Sequence, residues 1–122
     1  MGDEAGSLRE HPVQEVVERN AAVIVRLAGE LDLYNAEAVR QALTEAAGRE
    51  PERIVVDLGE VSFIDSTTLG VLIEARGKLA NRRGFLLASP GLEARRALEV
   101  SGLDRHFELH ETVDGALDAK LA

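Results

Sequence analysis

Residues 53–73 read RIVVDLGEVSFIDSTTLGVLI, and this stretch decides the fold. Its first part, Arg53 to Leu58, carries the uninterrupted Ile54-Val55-Val56 typical of a parallel strand covered by helices on both faces. Its last part begins a helix: Leu69, Leu72, Ile73, Ala75, Leu79 and Ala80 form a broad apolar face that runs to about Arg82, and Gly84 stops it. Between strand and helix lies a polar cluster, Asp65-Ser66-Thr67-Thr68, in which Ser66 follows a loop and reads as the helix N-cap.

The flanking sequence repeats that alternation. On the N-terminal side, Val13 to Glu18 and Ala21 to Ala28 are β-branched-rich runs separated by Arg19-Asn20, close enough for a hairpin. Val23, Val25 and Leu27 fall on one face of the second run, while Ile24 and Ala28 keep the other partly apolar, which predicts cover on both sides. Gly29-Glu30-Leu31-Asp32 breaks the run. A helix follows along Ala36, Val39, Leu43, Ala46 and Ala47, with Asn35 as N-cap, Gly48 as its stop and Pro51 beyond. On the C-terminal side, Glu74 and Lys78 make an i, i+4 pair on the central helix. Phe85 to Ala88 is a short buried strand, and Ser89-Pro90 reads as a cap and first residue of a helix to about Val100, closed by Ser101-Gly102. His106 to Leu109 is a last strand and Thr112 to Leu121 a last helix. The sum is an α/β domain at 13–122 after a flexible tail at 1–12: a mixed, mostly parallel sheet of about five strands opened by a hairpin, with about four helices.

Composition narrows the function. The 122 residues suffice for one core, and a hydrophobic fraction of 45% with few aromatics predicts one built of Leu, Val, Ile and Ala. Fourteen Lys and Arg against 22 Asp and Glu give a net charge of −8, which repels phosphate backbones and anionic lipid, so direct nucleic-acid binding is not expected. No cysteine is present, which removes disulfides and thiol chemistry. The polar N-terminus lacks the apolar segment of a secretory signal, and no run approaches the roughly 18 apolar residues of a membrane span. A cytoplasmic protein without membrane insertion is the expectation.

Candidates for chemistry are few. Ser66 as a hydrolytic nucleophile lacks the G-x-S-x-G elbow and an evident base. His106 and His110 on a strand stand about 13 Å apart, too far to share a metal. Gly59, Gly70 and Gly77 match no phosphate-binding pattern. The pairs Arg82-Arg83 and Arg95-Arg96 lack interleaved aromatics and read as solvated helix faces or partner contacts. No catalytic residue, cofactor or metal is expected. An exposed serine at a helix start, in contrast, tolerates an added phosphate, because the dianion meets unpaired N–H groups and the positive dipole end.

The stretches VVDLGEVSFIDSTTLGVLIEARGKL, GELDLYNAEAVRQAL and SGLDRHFELHETVDGAL together resemble the anti-sigma-factor antagonists, bacterial proteins made of a single STAS domain. The resemblance runs from about Val13 onward and implies partner switching. The unphosphorylated protein binds an anti-sigma factor that is itself a serine kinase, freeing the sigma factor for transcription; phosphorylation of the serine after the aspartate, here Ser66, reverses this, and a PP2C-type phosphatase using Mn²⁺ or Mg²⁺ resets it. Thr67 and Thr68 are secondary acceptors. Asp32 is expected near Ser66, and Asp65, Thr67, Val71 and Glu74 are expected in the docking surface with it. The family's commoner motif is Asp-Ser-Ser/Thr-Gly-Leu-Gly; Thr68 stands in the first glycine position, where it narrows a kinase's approach to the backbone. The resemblance fits a monomer or weak dimer. An alternative is a scaffold in a stress-signalling complex, or a transporter-associated subunit, without a phosphorylation switch.

Overall fold

The computed structural model describes residues 11–121. The strands are β1 (Val13–Arg19), β2 (Ala22–Leu31), β3 (Arg53–Ile64), β4 (Phe85–Ala88) and β5 (Glu108–His110). The helices are α1 (Ala36–Gly48), α2 (Ser66–Lys78), α3 (Leu92–Ser101) and α4 (Val113–Asp118). One five-stranded sheet runs in the order β1-β2-β3-β4-β5, with β1 antiparallel to β2 and every other pair parallel. The expected architecture is therefore the one observed.

The sheet is covered on both faces where β2 and β3 run, as their apolar patterns imply, but the two covers are unequal. Parallel strands laid down in chain order, with crossovers of one hand, send every connecting helix to the same face. Accordingly α1, α2 and α3 share one core with Val23, Val25, Leu27, Ile54, Val56 and Leu87. Only α4, which connects no strands, packs on the other face, where Ala116 meets Val55, Leu86 and Ala88. Among the described residues nothing covers the β1 end of that face, and Val17 is exposed there.

Arg53 holds α4 in place. Its buried guanidinium donates to the carbonyls of Ala116 and Ala119, both at 2.8 Å, and so satisfies the C-terminal carbonyls that a helix leaves unpaired. Thr112 caps the other end, its Oγ1 accepting from Gly115 N–H at 2.9 Å. The helix is shorter than the sequence pattern, although Leu121 still packs against it.

Several boundaries move for local reasons. Arg53 to Leu58 is only the first half of β3: the strand continues to Ile64 with no intervening loop. Register shifts between Arg26 and Ala28 and between Gly29 and Glu30 absorb the Gly59-Glu60 interruption, with Gly29 at φ 83. β2 likewise runs through Gly29-Glu30-Leu31 instead of ending there. Helix α2 stops at Lys78, with Leu79 extended and a separate 3₁₀ turn at Arg82–Gly84. Gly48 is the last residue of α1 and not a stop beyond it. Ser89 does not cap α3: at φ 57 its N–H donates to His110 O at 2.9 Å, and Gly91 takes the N-cap position. Of the expected flexible tail, residues 1–10 lie outside the described residues, whereas Pro12 is buried and accepts from Ala28 N–H at 2.9 Å.

Candidate functional site: the N-terminal end of helix α2

Beyond Asp57, β3 no longer pairs with β4; only β2 accompanies it, through Ala28–Glu60, Gly29–Val61, Glu30–Phe63 and Leu31–Ile64. This two-stranded extension projects past the rest of the sheet and carries the start of α2. Asp65 N–H donates to Leu31 O at 3.0 Å, which fixes the entry to the helix against the end of β2.

The N-cap is Asp65 and not Ser66. Its backbone is extended (φ −103, ψ 178), its Oδ1 accepts from Thr68 N–H at 3.1 Å, and its carbonyl accepts from Leu69 N–H at 3.0 Å. A carboxylate here satisfies an orphan donor and meets the positive end of the dipole. Ser66 is thereby the first helical residue. It and Thr67 are exposed, and neither hydroxyl makes a hydrogen bond among the described residues.

Thr68 contrasts with both. Its side chain is fully buried, with 0% exposure, and Oγ1 has no hydrogen-bond partner. An acceptor role for Thr68 is incompatible with that burial, because the hydroxyl reaches solvent only if the first turn of α2 opens. Val71 is likewise not a surface position: it is 2% exposed and packs in the main core. A helix entering at Asp65 turns Thr68, Leu69, Val71, Leu72 and Ala75 inward, leaving Ser66, Thr67, Gly70, Ile73 and Glu74 toward solvent.

Asp32 directly follows β2 beside this helix start, since Leu31 pairs with Ile64. Its Oδ1 accepts from Tyr34 N–H at 3.0 Å, and its N–H donates to Asn35 Oδ1 at 2.9 Å. Asn35 also donates from Nδ2 to Glu30 O at 2.8 Å, so its side chain ties the turn together instead of capping α1. The turn leaves Leu33 and Tyr34, at 64% and 84% exposure, facing water. Phe63, on the same extension, is 48% exposed. These three apolar side chains were missed in the sequence, yet a signal exists. The Leu-Tyr pair stands between Asp32 and Asn35, two residues that form turns with their own backbone, and a turn at the surface cannot bury both large residues.

Glu74 is held in place. Arg40 Nε donates to Glu74 Oε1 at 3.2 Å and Lys78 Nζ lies 3.4 Å from Oε2, while Arg40 also pairs with Glu37. The Arg40 hydrogen bond, followed by that of Lys78, lowers the Glu74 pKa from its usual value, and the Glu37 and Glu74 carboxylates raise that of Arg40. The pair ties α1 to α2 along their solvent edge. Among the described residues no group of carboxylates and histidines has metal-site geometry, and no helix is long and apolar enough to cross a membrane.

The site thus joins an exposed hydroxyl at the first position of a helix to exposed apolar side chains on a strand extension, all on an α/β scaffold. The chain belongs to the STAS domain family, whose model matches residues 13–116. Within it the chain is 31% identical to the anti-sigma-F factor antagonist RsfB of Mycobacterium tuberculosis over 102 residues, 84% of each protein. The crystal structure of an anti-sigma factor antagonist from Mycobacterium paratuberculosis superposes with a TM-score of 0.79 at 33% identity, covering 84% of this chain and 88% of that one. Bacillus SpoIIAA, at 25% identity, has been solved unphosphorylated and phosphorylated. Its unphosphorylated form gives a TM-score of 0.72, over 85% of this chain and 92% of that one. Its phosphorylated form gives 0.64, over 85% and 96%.

Proposed function

We propose that this protein is an anti-sigma factor antagonist that docks on an anti-sigma factor serine kinase and is released by phosphorylation of Ser66. The observation that carries the proposal is the pairing of an exposed Ser66, whose hydroxyl has no partner among the described residues, with a neighbouring apolar surface of Leu33, Tyr34 and Phe63. The role is regulatory binding and not catalysis, and the relatives named anti-sigma factor antagonists support it.

In the unmodified protein, docking buries Tyr34, Leu33 and Phe63 together with the uncharged start of α2. A rigid aromatic at the centre of a small patch is the usual source of interface affinity. Thr67 and Ile73 extend that surface, and Asp32 and Asp65 act mainly by shaping it, one through the turn and the other through the cap. Glu74 contributes at the rim, where Arg40 and Lys78 fix its orientation.

Phosphorylation adds about 1.5 to 2 negative charges at the first residue of α2. The fold accommodates them, since the Ser66 and Thr67 N–H groups have no intrahelical acceptor and the dipole is positive there. The interface does not: docking would bury the phosphate close to the Asp32 and Asp65 carboxylates, and an unpaired buried charge costs several kcal/mol. A PP2C-type phosphatase then returns the serine to its docking form.

The test is incubation of the full chain with an anti-sigma kinase and ATP, with mass spectrometry to locate the phosphate. Phosphate on Ser66 is expected, with Thr67 a minor acceptor in Ser66→Ala. A phosphate on Thr68 in the folded protein, or none at all, would overturn the proposal.

A further inference from the structure

At the far end of α2 a second feature lies outside the docking surface. Arg76 of α2, Arg82 and Arg83 of the turn after it, and Arg105 and His106 of the turn before β5 line one cavity of about 620 Å³. None of these four arginines has an ion pair or a side-chain hydrogen bond among the described residues. Elsewhere in this chain of net charge −8, Arg19, Arg26, Arg40, Arg49 and Arg95 each reach a carboxylate. The one carboxylate lining the cavity, Glu108, has its Oε1 3.3 Å from His110 Nε2.

The walls are fixed by backbone. Asn81 Oδ1 accepts from Arg83 N–H at 3.1 Å, and Asn81 O accepts from Gly84 N–H at 2.9 Å. Gly84 lies against the start of β3 so closely that a Cβ would stand 2.5 Å from Glu52 O, so only glycine lets the turn bearing Arg82 and Arg83 pack there. Across the cavity, Gly102 at φ 79 begins the turn that presents Arg105 and His106, with His106 N–H on Leu103 O at 2.9 Å. The buried rings of Phe85 and Phe107, centroids 5.9 Å apart, form a floor between the two turns.

We propose that this cavity binds a compact small molecule bearing two or more phosphate groups. Four guanidiniums held together without counter-charges repel one another, and an anion relieves that repulsion. Each presents five N–H donors in a fork suited to phosphate, so a ligand that matches several needs many acceptor oxygens in a small volume. The cavity volume falls within the range of small-molecule sites, roughly 300 to 1,000 Å³. A long polyanion fits poorly, because a chain of net charge −8 repels the part of it that the cavity does not hold.

The test is calorimetric titration of the full chain with tripolyphosphate at about 0.1 M salt, where distant charges are screened. Saturable binding with one ligand per chain is expected, weakened at least about tenfold in Arg82→Gln/Arg105→Gln and unchanged in Arg95→Gln. Thermal melting shows whether each variant is folded, and Arg105→Gln alone, an exposed substitution, serves if the pair fails. Ser66→Ala should bind tripolyphosphate like the parent, which separates this site from the phosphorylation switch. The proposal is overturned if no saturable binding occurs at millimolar tripolyphosphate, if the arginine variants bind equally well, if citrate binds as tightly, or if a single-stranded oligonucleotide binds more tightly.

Discussion

At its N-terminal end α2 offers solvent two exposed hydroxyls, Ser66 and Thr67, beside Leu33, Tyr34 and Phe63; at its C-terminal end it joins Arg76 to the arginines of two turns. Ser66 and Arg76 are about 15 Å apart along the helix axis. The first end carries its hydroxyls beside the Asp32 and Asp65 carboxylates, each accepting from a backbone N–H, so an added phosphate meets like charge and changes that surface greatly. The second is already cationic, and one charge more or less alters it by degree. A charge switch belongs at the first kind of surface, an anion site at the second.

The largest expected effect falls on the hydroxyl-bearing end. Ser66→Asp should weaken binding to an anti-sigma kinase on the order of 100-fold while Ser66→Ala binds as the parent does, read as dissociation constants. Equal affinity for both variants would remove the contrast between the two ends. A step smaller, Arg53→Met should lower stability by about 2 kcal/mol in chemical denaturation, because two charge-assisted bonds to Ala116 and Ala119 are lost. Faster amide exchange should be confined to α4, leaving both ends of α2 unchanged. Tyr34→Ala should then weaken kinase binding about tenfold with no change in melting temperature, as expected for an exposed anchor. If it melts lower and binds normally, Tyr34 is structural and the apolar end is not a docking surface.

Two smaller effects sharpen the account of α2 itself. Thr68→Val removes a buried hydroxyl that has no partner while keeping its shape, and should raise stability by about 1 kcal/mol. The Glu74 ion pairs give a pH signature. With its folded pKa lowered, Glu74 contributes stability above the usual carboxylate range and loses it as pH falls through the folded value. The difference in melting temperature between the parent and Glu74→Gln should therefore be present at neutral pH and vanish in acid. Because the pair is exposed, the difference should be small and should shrink with added salt.

Much of the fold was legible in the residues because each element announced itself by period. The β1–β2 hairpin, the apolar Ile54-Val55-Val56 and the stripes of α1 and α2 required no tertiary information. What failed was set by contacts between elements. Gly59-Glu60 reads as the end of a strand, yet a register shift against β2 carries β3 on to Ile64. Ser66 and Asp65 are both good caps in isolation, and the bond from Asp65 N–H to Leu31 O decides between them. Thr68 and Val71 lie on the buried side beside Leu72 and Ala75, a width of that face set by packing against the sheet and not by the apolar residues alone. Ser89-Pro90 reads as a helix start, but Ser89 is engaged by His110 across the sheet. The arginine cavity was illegible because Arg76, Arg82, Arg83 and Arg105 meet only when two turns distant in sequence are brought together.

The most direct test of the central claim is a calorimetric titration of one anti-sigma kinase with this protein before and after it has been phosphorylated stoichiometrically on Ser66. The account predicts tight binding by the unmodified chain and a dissociation constant at least about 100-fold weaker for the phosphorylated one, with the fold unchanged by circular dichroism. Equal affinity for the two forms, with phosphate confirmed on Ser66, would contradict it.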